Sequence, residues 1–213
     1  MVSKKRAKEI VDVMCEMYPN AHCELVHSNA FELTIAVLLS AQATDVGVNK
    51  VTQSLFKKYK KPADYLAVEL TELEEDLRAI GLYKTKSKNV RKLCELLISD
   101  YGGEIPGTYD DLIRLPGVGR KTANVVLSVW FKVPRIAVDT HVERVSKRLK
   151  LVRQRDSVLE VEKQLMYLLP EDMWSRSHHA MIFFGRYHCT ARRPKCEGCQ
   201  LSELCGYYSR PRR

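Results

Sequence analysis

No apolar stretch in this sequence approaches the roughly 18 residues that a membrane span requires. The N-terminus, Met1-Val2-Ser3-Lys4-Lys5-Arg6, runs into a polar segment without the apolar core of a secretory signal. Strand-like alternation is absent, and so are internal repeats, low-complexity tracts and long linkers. These absences argue against a membrane-spanning chain and a β-rich fold, and they lead us to expect a soluble cytoplasmic protein. Glycine is scarce too: there are ten, and five of them fall between residues 102 and 119, so the sharpest turns precede one particular helix. What is present is 213 residues, 45% hydrophobic and 29% charged, enough for one or two packed domains and incompatible with a mainly disordered chain.

The charge is unevenly placed. Of a formal net +9, residues 1–111 carry 15 basic and 17 acidic side chains, whereas residues 112–213 carry 20 basic and 9 acidic ones. A basic half of that size fits a polyanionic partner, although a basic surface can also serve solubility alone. The motifs have to decide between them, and they lie mostly in this half.

Periodicity predicts an all-α fold. Ile10, Val13, Met14 and Met17 repeat at helical spacing, and Phe31 to Leu39 is apolar almost all round, as a central buried helix would be. Val90, Leu93, Cys94, Leu97, Ile98 and Tyr101 form a stripe opposite Lys88, Arg91, Lys92 and Glu95, which should pack on that central helix. Further helices are expected at 44–60, 121–131, 140–149, 157–168 and 174–187. Thr71 with Glu74, and Thr140 with Glu143, have the spacing of a reciprocal capping box.

Leu115-Pro116-Gly117-Val118-Gly119 followed by Arg120-Lys121-Thr122-Ala123 reads as helix, tight hairpin, helix. Two glycines permit positive φ and close approach of a backbone. A hairpin that opens onto a helix N-terminus presents N–H groups beside the positive end of the dipole, which is how a phosphate is held without sequence preference. A G-x-G turn alone is more often an ordinary connection between helices. Lys121, however, sits in the first turn, where the dipole and Arg120 both disfavour an ammonium charge, so its amine is a candidate nucleophile for imine formation. Eighteen residues on, Asp139 precedes Thr140 and Glu143. If Thr140 caps the helix, the Asp139 carboxylate is uncommitted; Asp139 is equally suited to be the cap itself.

Three of the seven cysteines, Cys15, Cys23 and Cys94, are scattered. The other four, Cys189, Cys196, Cys199 and Cys205, fall within 17 residues. Disulfides are improbable in a reducing compartment, so this spacing signals a metal centre. Four thiolates suit tetrahedral zinc or an iron-sulfur cube, and ligand softness does not separate the two. Between the first two ligands lie Arg192, Arg193 and Lys195, a cationic loop suited to phosphate.

Taken together, LPGVGRKTA with Lys121, VDTH with Asp139, LLSAQATD from Leu38 to Asp45, and the C-x6-C-x2-C-x5-C spacing resemble the bacterial endonuclease III family, base-excision DNA glycosylases with lyase activity. The motifs run from residue 38 to 205, nearly the whole chain. The resemblance implies two helical domains flanking a DNA-binding cleft. One, residues 22–132, is a barrel-like helical domain that includes the helix-hairpin-helix motif; the other, 1–21 with 133–213, carries a [4Fe-4S] cluster on Cys189, Cys196, Cys199 and Cys205.

By the same resemblance, Lys121 attacks C1′ of a damaged nucleotide flipped from the duplex, the base is expelled, and β-elimination through the imine cuts the strand, with Asp139 assisting. Gln42 and Leu82 would enter the gap in the duplex, and Gly117, Gly119, Arg120 and Arg193 would contact the backbone. His141 would border the pocket, as would Asp45, unless Thr44-Asp45 is simply a helix start. The adjacent His178 and His179 lack ligand spacing and read as structural. The implied partner is double-stranded DNA with oxidised pyrimidines or abasic sites, met by a monomer in the bacterial cytoplasm at the nucleoid. Two alternatives remain: a related glycosylase for pyrimidine dimers or mismatched thymine, and a non-catalytic cluster protein that binds DNA or senses redox state, which would not need both Lys121 and Asp139.

Overall fold

The computed structural model describes residues 2–208, and among them every regular element is helical. No helix of the described residues is long and apolar enough to cross a membrane. The chain forms two compact units, Cys23–Val133 and the combination of Met1–His22 with Pro134–Arg213.

Within Cys23–Val133 the order is α2 (Ala30–Leu39), α3 (Asp45–Lys58), α4 (Pro62–Leu66), α5 (Leu70–Asp76), α6 (Tyr83–Tyr101), α7 (Tyr109–Leu112) and α8 (Arg120–Val129). As its composition predicts, α2 is the centre: Phe31 and every residue from Leu33 to Leu39 are buried, and α3, α6 and α8 pack on it. Each large aliphatic side chain so buried stabilises the fold by roughly 1.5–3 kcal/mol. The stripe on α6 is buried at Val90, Leu93, Cys94 and Leu97, whereas Ile98 is exposed. The short helices α4 and α5 also pack on α6.

The discontinuous unit joins α1 (Lys4–Met17) to α9 (Thr140–Arg148), α10 (Val158–Leu168), a 3₁₀ turn (Glu171–Met173) and α11 (Trp174–Phe183). Its core holds Ile10, Val11 and Met14 of α1 against Val142, Val145, Val161, Leu165, Ala180 and Met181.

Two of the expected helix starts differ. Thr71 is not a cap, because α5 begins one residue before it, at Leu70, with Glu69 in the capping position. Thr140 is the first residue of α9, and the cap is Asp139. The helix expected over 174–187 remains α-helical to Phe183 and then widens into a π-helical turn, Phe184–His188, that ends against Cys189.

Candidate functional site

Lys121 stands at the second position of α8, exposed, while Thr122 to Ser128 behind it are all buried. A helix gripped along its length thus offers one lysine at its open end. The approach is built by the hairpin: Val118 N–H donates to the Leu115 carbonyl at 3.0 Å, and Gly117 turns the chain at φ 81°. A Cβ on Gly117 would lie 2.8 Å from Leu38 Cδ1 and 3.0 Å from Asn89 Cβ, so both the backbone and the packing demand glycine. Gly119 differs. It caps α8 in an extended conformation open to any residue, contributes no side-chain cap, and has nothing within 4 Å of where a Cβ would be. Its value is open space beside the helix N-terminus. Arg120 is steered by Tyr109, whose hydroxyl accepts from Nη1 at 3.1 Å and whose ring centre is 5.4 Å from the guanidinium carbon.

In the same unit, Gln42 and Leu82 share an uncommon backbone. Both have positive φ, 54° and 61°, in the left-handed region that costs a non-glycine residue roughly 1 kcal/mol or more. Both are exposed; Leu82, 54% accessible, is no core leucine, whereas Ile80 beside it is buried. The two segments abut, since a Cβ on Gly81 would lie 3.9 Å from the Gln42 carbonyl oxygen. Asp45 is the first residue of α3, whose cap is Thr44, accepting from Gly47 N–H at 3.1 Å. A groove of about 660 Å³ along α3 is lined by Val46, Lys50 and Phe56 but not by Asp45.

Asp139 belongs to the other unit. Its Oδ1 accepts the N–H groups of His141 at 2.9 Å and Val142 at 2.8 Å, and Oδ2 takes part in neither bond. The carboxylate is therefore fixed by the cap on one oxygen while the second keeps its lone pairs. His141 follows on the first turn of α9, with Nδ1 3.2 Å from Arg144 Nη2, and burial together with that guanidinium outweighs Asp139 to push its pKa down. The π-turn packs directly on it: a Cβ on Gly185 would lie 2.9 Å from His141 Cβ.

Cys189, Cys196, Cys199 and Cys205 line one cavity, walled by Leu149, Phe184 and Leu201. Among the described residues no three His, Cys, Asp or Glu side chains converge as ligands of a single ion. Four sulfurs around a common space form a donor set that fits an iron-sulfur cluster. Burial and the neighbouring thiols push the Cys196 and Cys199 thiols up. Arg193, with Arg192 and Lys195, is exposed on the loop between the first two cysteines.

Sequence reasoning missed Arg144 and Arg148. Both reach from α9 to the cysteine loop, Arg144 through Nε and Nη2 to the Cys189 carbonyl at 3.2 Å each and through Nη2 to the Gly185 carbonyl at 2.7 Å. Their four-residue spacing, which puts both on one helix face, was the available signal.

Residues 35–171 match the HhH-GPD superfamily of base excision DNA repair proteins, and residues 189–205 match the iron-sulfur binding domain of endonuclease III. The chain is 60% identical to endonuclease III of Bacillus subtilis over 205 residues, covering 96% of this chain and 94% of that one. With endonuclease III of Escherichia coli it shares 43% identity, covering 97% of both. Among solved structures it is similar to a trapped covalent intermediate of an endonuclease III with DNA, an estranged-adenine complex, with a TM-score of 0.95, 61% identity and 97% of each chain covered. A thermostable thymine-DNA glycosylase has a TM-score of 0.85 at 26% identity, covering 96% of this chain and 97% of that one.

Proposed function

This chain belongs to the endonuclease III family of HhH-GPD base excision DNA repair proteins, DNA glycosylases with abasic-site lyase activity, and from that premise we propose that it removes oxidised pyrimidines from duplex DNA with Lys121 as nucleophile. The observation that carries the assignment of Lys121 is its place as the exposed amine at the head of α8, ahead of the buried run from Thr122 to Ser128 and directly behind the Gly117–Gly119 hairpin.

In this reaction the Lys121 amine gives its lone pair to C1′ of the extruded nucleotide as the glycosidic bond breaks, and the base departs with the bonding pair and a proton. The ring opens to an imine between Nζ and C1′. Loss of a C2′ proton then drives elimination of the 3′ phosphate, which cuts the strand, and water releases the lysine. Asp139 supplies negative charge while C1′ is electron-poor, through the oxygen its cap does not use. A carboxylate pinned by two backbone N–H groups needs little reorganisation as that charge develops.

Base extrusion costs a few kcal/mol, less where the base is damaged and poorly stacked. Gln42 and Leu82 take the vacated space, glutamine by hydrogen bonding the widowed base and leucine by wedging the stack. Their left-handed conformations support that role, because strain of this kind is kept where a side chain must be presented outward. The hairpin at Gly117 and Gly119, with Arg120 and Arg193, holds phosphates, and His141, whose pKa burial pushes down, borders the base. Asp45 remains a pocket candidate only through its place beside the Gln42 loop. The [4Fe-4S] cluster, when bound, ties the four thiolates of the cationic loop to one rigid centre. We place the protein as a monomer at the bacterial nucleoid.

The test is a panel of duplexes with single lesions, assayed by single-turnover base release and by borohydride trapping. Thymine glycol should be excised and trapped, and Lys121→Gln should lose trapping and strand cleavage while binding lesion DNA within about tenfold of the parent. Robust trapping by Lys121→Gln would move the nucleophile elsewhere. A preference for mismatched thymine over thymine glycol would favour the thymine-DNA glycosylase reading.

A further inference from the structure

One residue fastens both ends of the cysteine loop, the first through its side chain and the last through its main-chain carbonyl. Arg148, in the last turn of α9, donates from Nη1 to Cys189 Sγ at 3.2 Å and to the Thr190 carbonyl at 2.8 Å, and from Nη2 to the Ala191 carbonyl at 2.9 Å. At the far end of the loop, the Arg148 carbonyl accepts the Gly206 N–H at 3.1 Å and lies 3.8 Å from Cys205 Sγ. The guanidinium carbon lies 4.2 Å from the centre of the Tyr207 ring. The first and fourth cysteines are thus attached to a single residue of a packed helix. The second and third are attached to each other, Cys199 N–H donating to the Cys196 carbonyl at 3.2 Å.

We propose that Arg148 is a positioning residue for the iron-sulfur cluster: it holds Cys189 and Cys205 at the cavity independently of the cluster, and its hydrogen bond to the Cys189 sulfur sets the cluster's reduction potential. A donor to a ligating sulfur withdraws electron density from it and favours the reduced cluster. Only a planar fork meets a sulfur and two carbonyls at once while laying a face on an aromatic ring, so lysine does not substitute for arginine here. Arg144 reaches the same cysteine, but at its carbonyl. The proposal rests on the iron-sulfur assignment and not on the identity of the nucleophile or the lesion.

The test compares purified cluster-loaded protein with Arg148→Met and Arg148→Lys. Iron and sulfide analysis of the parent comes first; one zinc and no iron would overturn the cluster assignment, and this proposal with it, before any variant is made. In Arg148→Met, loss of the visible cluster absorbance to a chelator should accelerate about tenfold or more. Its potential by voltammetry should move to a more negative value, with far-UV circular dichroism unchanged. Arg148→Lys keeps charge and most of the length, and carries the test if the methionine variant does not fold. It should lose cluster faster than the parent and also shift negative, since an ammonium does not span the sulfur and both carbonyls. Chelator loss within twofold of the parent and an unshifted potential in the folded variants would overturn the proposal.

Discussion

Asp139 and Val142 are joined by a 2.8 Å hydrogen bond from the Val142 N–H to the same carboxylate oxygen that accepts from His141. That bond gives the residue two separable duties. Asp139→Ala should lower stability by about 1 kcal/mol through loss of the cap, whereas Asp139→Asn, whose amide oxygen can still cap, should not. Asp139→Asn should release a damaged base very slowly and still form borohydride-trapped adduct on a preformed abasic site, where the step that builds up positive charge is already past. Urea melts and the two trapping assays check this; equal loss on both substrates would show the carboxylate to be needed for Lys121 itself.

The two hairpin glycines should respond oppositely. Gly117→Ala forces a Cβ into Leu38 and Asn89 at a positive φ and should cost about 2–3 kcal/mol. Gly119→Ala meets open space and should cost under about 1 kcal/mol, yet it places a methyl group where a phosphate would approach, so DNA affinity should fall. Melting temperature and fluorescence anisotropy on undamaged duplex separate the effects. A Gly119→Ala protein with parental affinity would remove that glycine from the interface.

Leu82 should show stability traded for function. Leu82→Asn suits the left-handed backbone better and gives up a side chain that is already half exposed, so it should raise stability by about 1 kcal/mol. If Leu82 wedges the stack as proposed, single-turnover excision should slow. A stabilised variant with parental excision would leave the strain at Leu82 without a functional reason.

Acid should weaken the fold through His178. Burial on α11 pushes its pKa down to about 3, with the adjacent His179 ring acting in the same direction. The unfolded chain takes up a proton near the ordinary value of about 6.5 while the native protein resists it, so this contribution is complete above that pH and drains away as pH falls toward 3. His178→Gln should be less stable than the parent at pH 7.5, and the gap should narrow by about 2 kcal/mol at pH 5. A gap independent of pH would mean that His178 protonates in place.

Most of the fold was legible because its signals are local. The unbroken apolar run of α2, the stripe on α6 and the glycines of the hairpin each follow from a few neighbouring residues. Capping was less legible, since several residues compete for one position: Thr71-x-x-Glu74 has the spacing of a box, yet α5 starts before it at Leu70. Asp139 and Thr140 were equally good caps on paper, and the backbone chose the first. The short helices α4 and α7 carry too few residues for a periodic pattern. The four cysteines were visible as a set from their spacing. Arg148 was not, because its partners lie more than forty residues away in the chain, and its spacing from Arg144 marks a basic helix face without saying what that face meets. The positive φ of Gln42 and Leu82 was hidden for a related reason, neither residue type being one that favours it.

The interrupted unit also has a timetable. Its first segment ends at His22 and its second begins at Pro134, so α1 leaves the ribosome long before Val161, Met181 and the other side chains that cover Ile10 and Met14. Cys23–Val133 has no such wait and can complete its core in the nascent chain, presenting the hairpin while the rest is still being made. The cysteine loop follows Cys23–Val133 in the chain, so its four thiolates are available to iron only after that unit has been made. Shortage of iron would therefore act on a chain whose uninterrupted unit is already folded, its glycine hairpin formed before the cysteine loop is fastened.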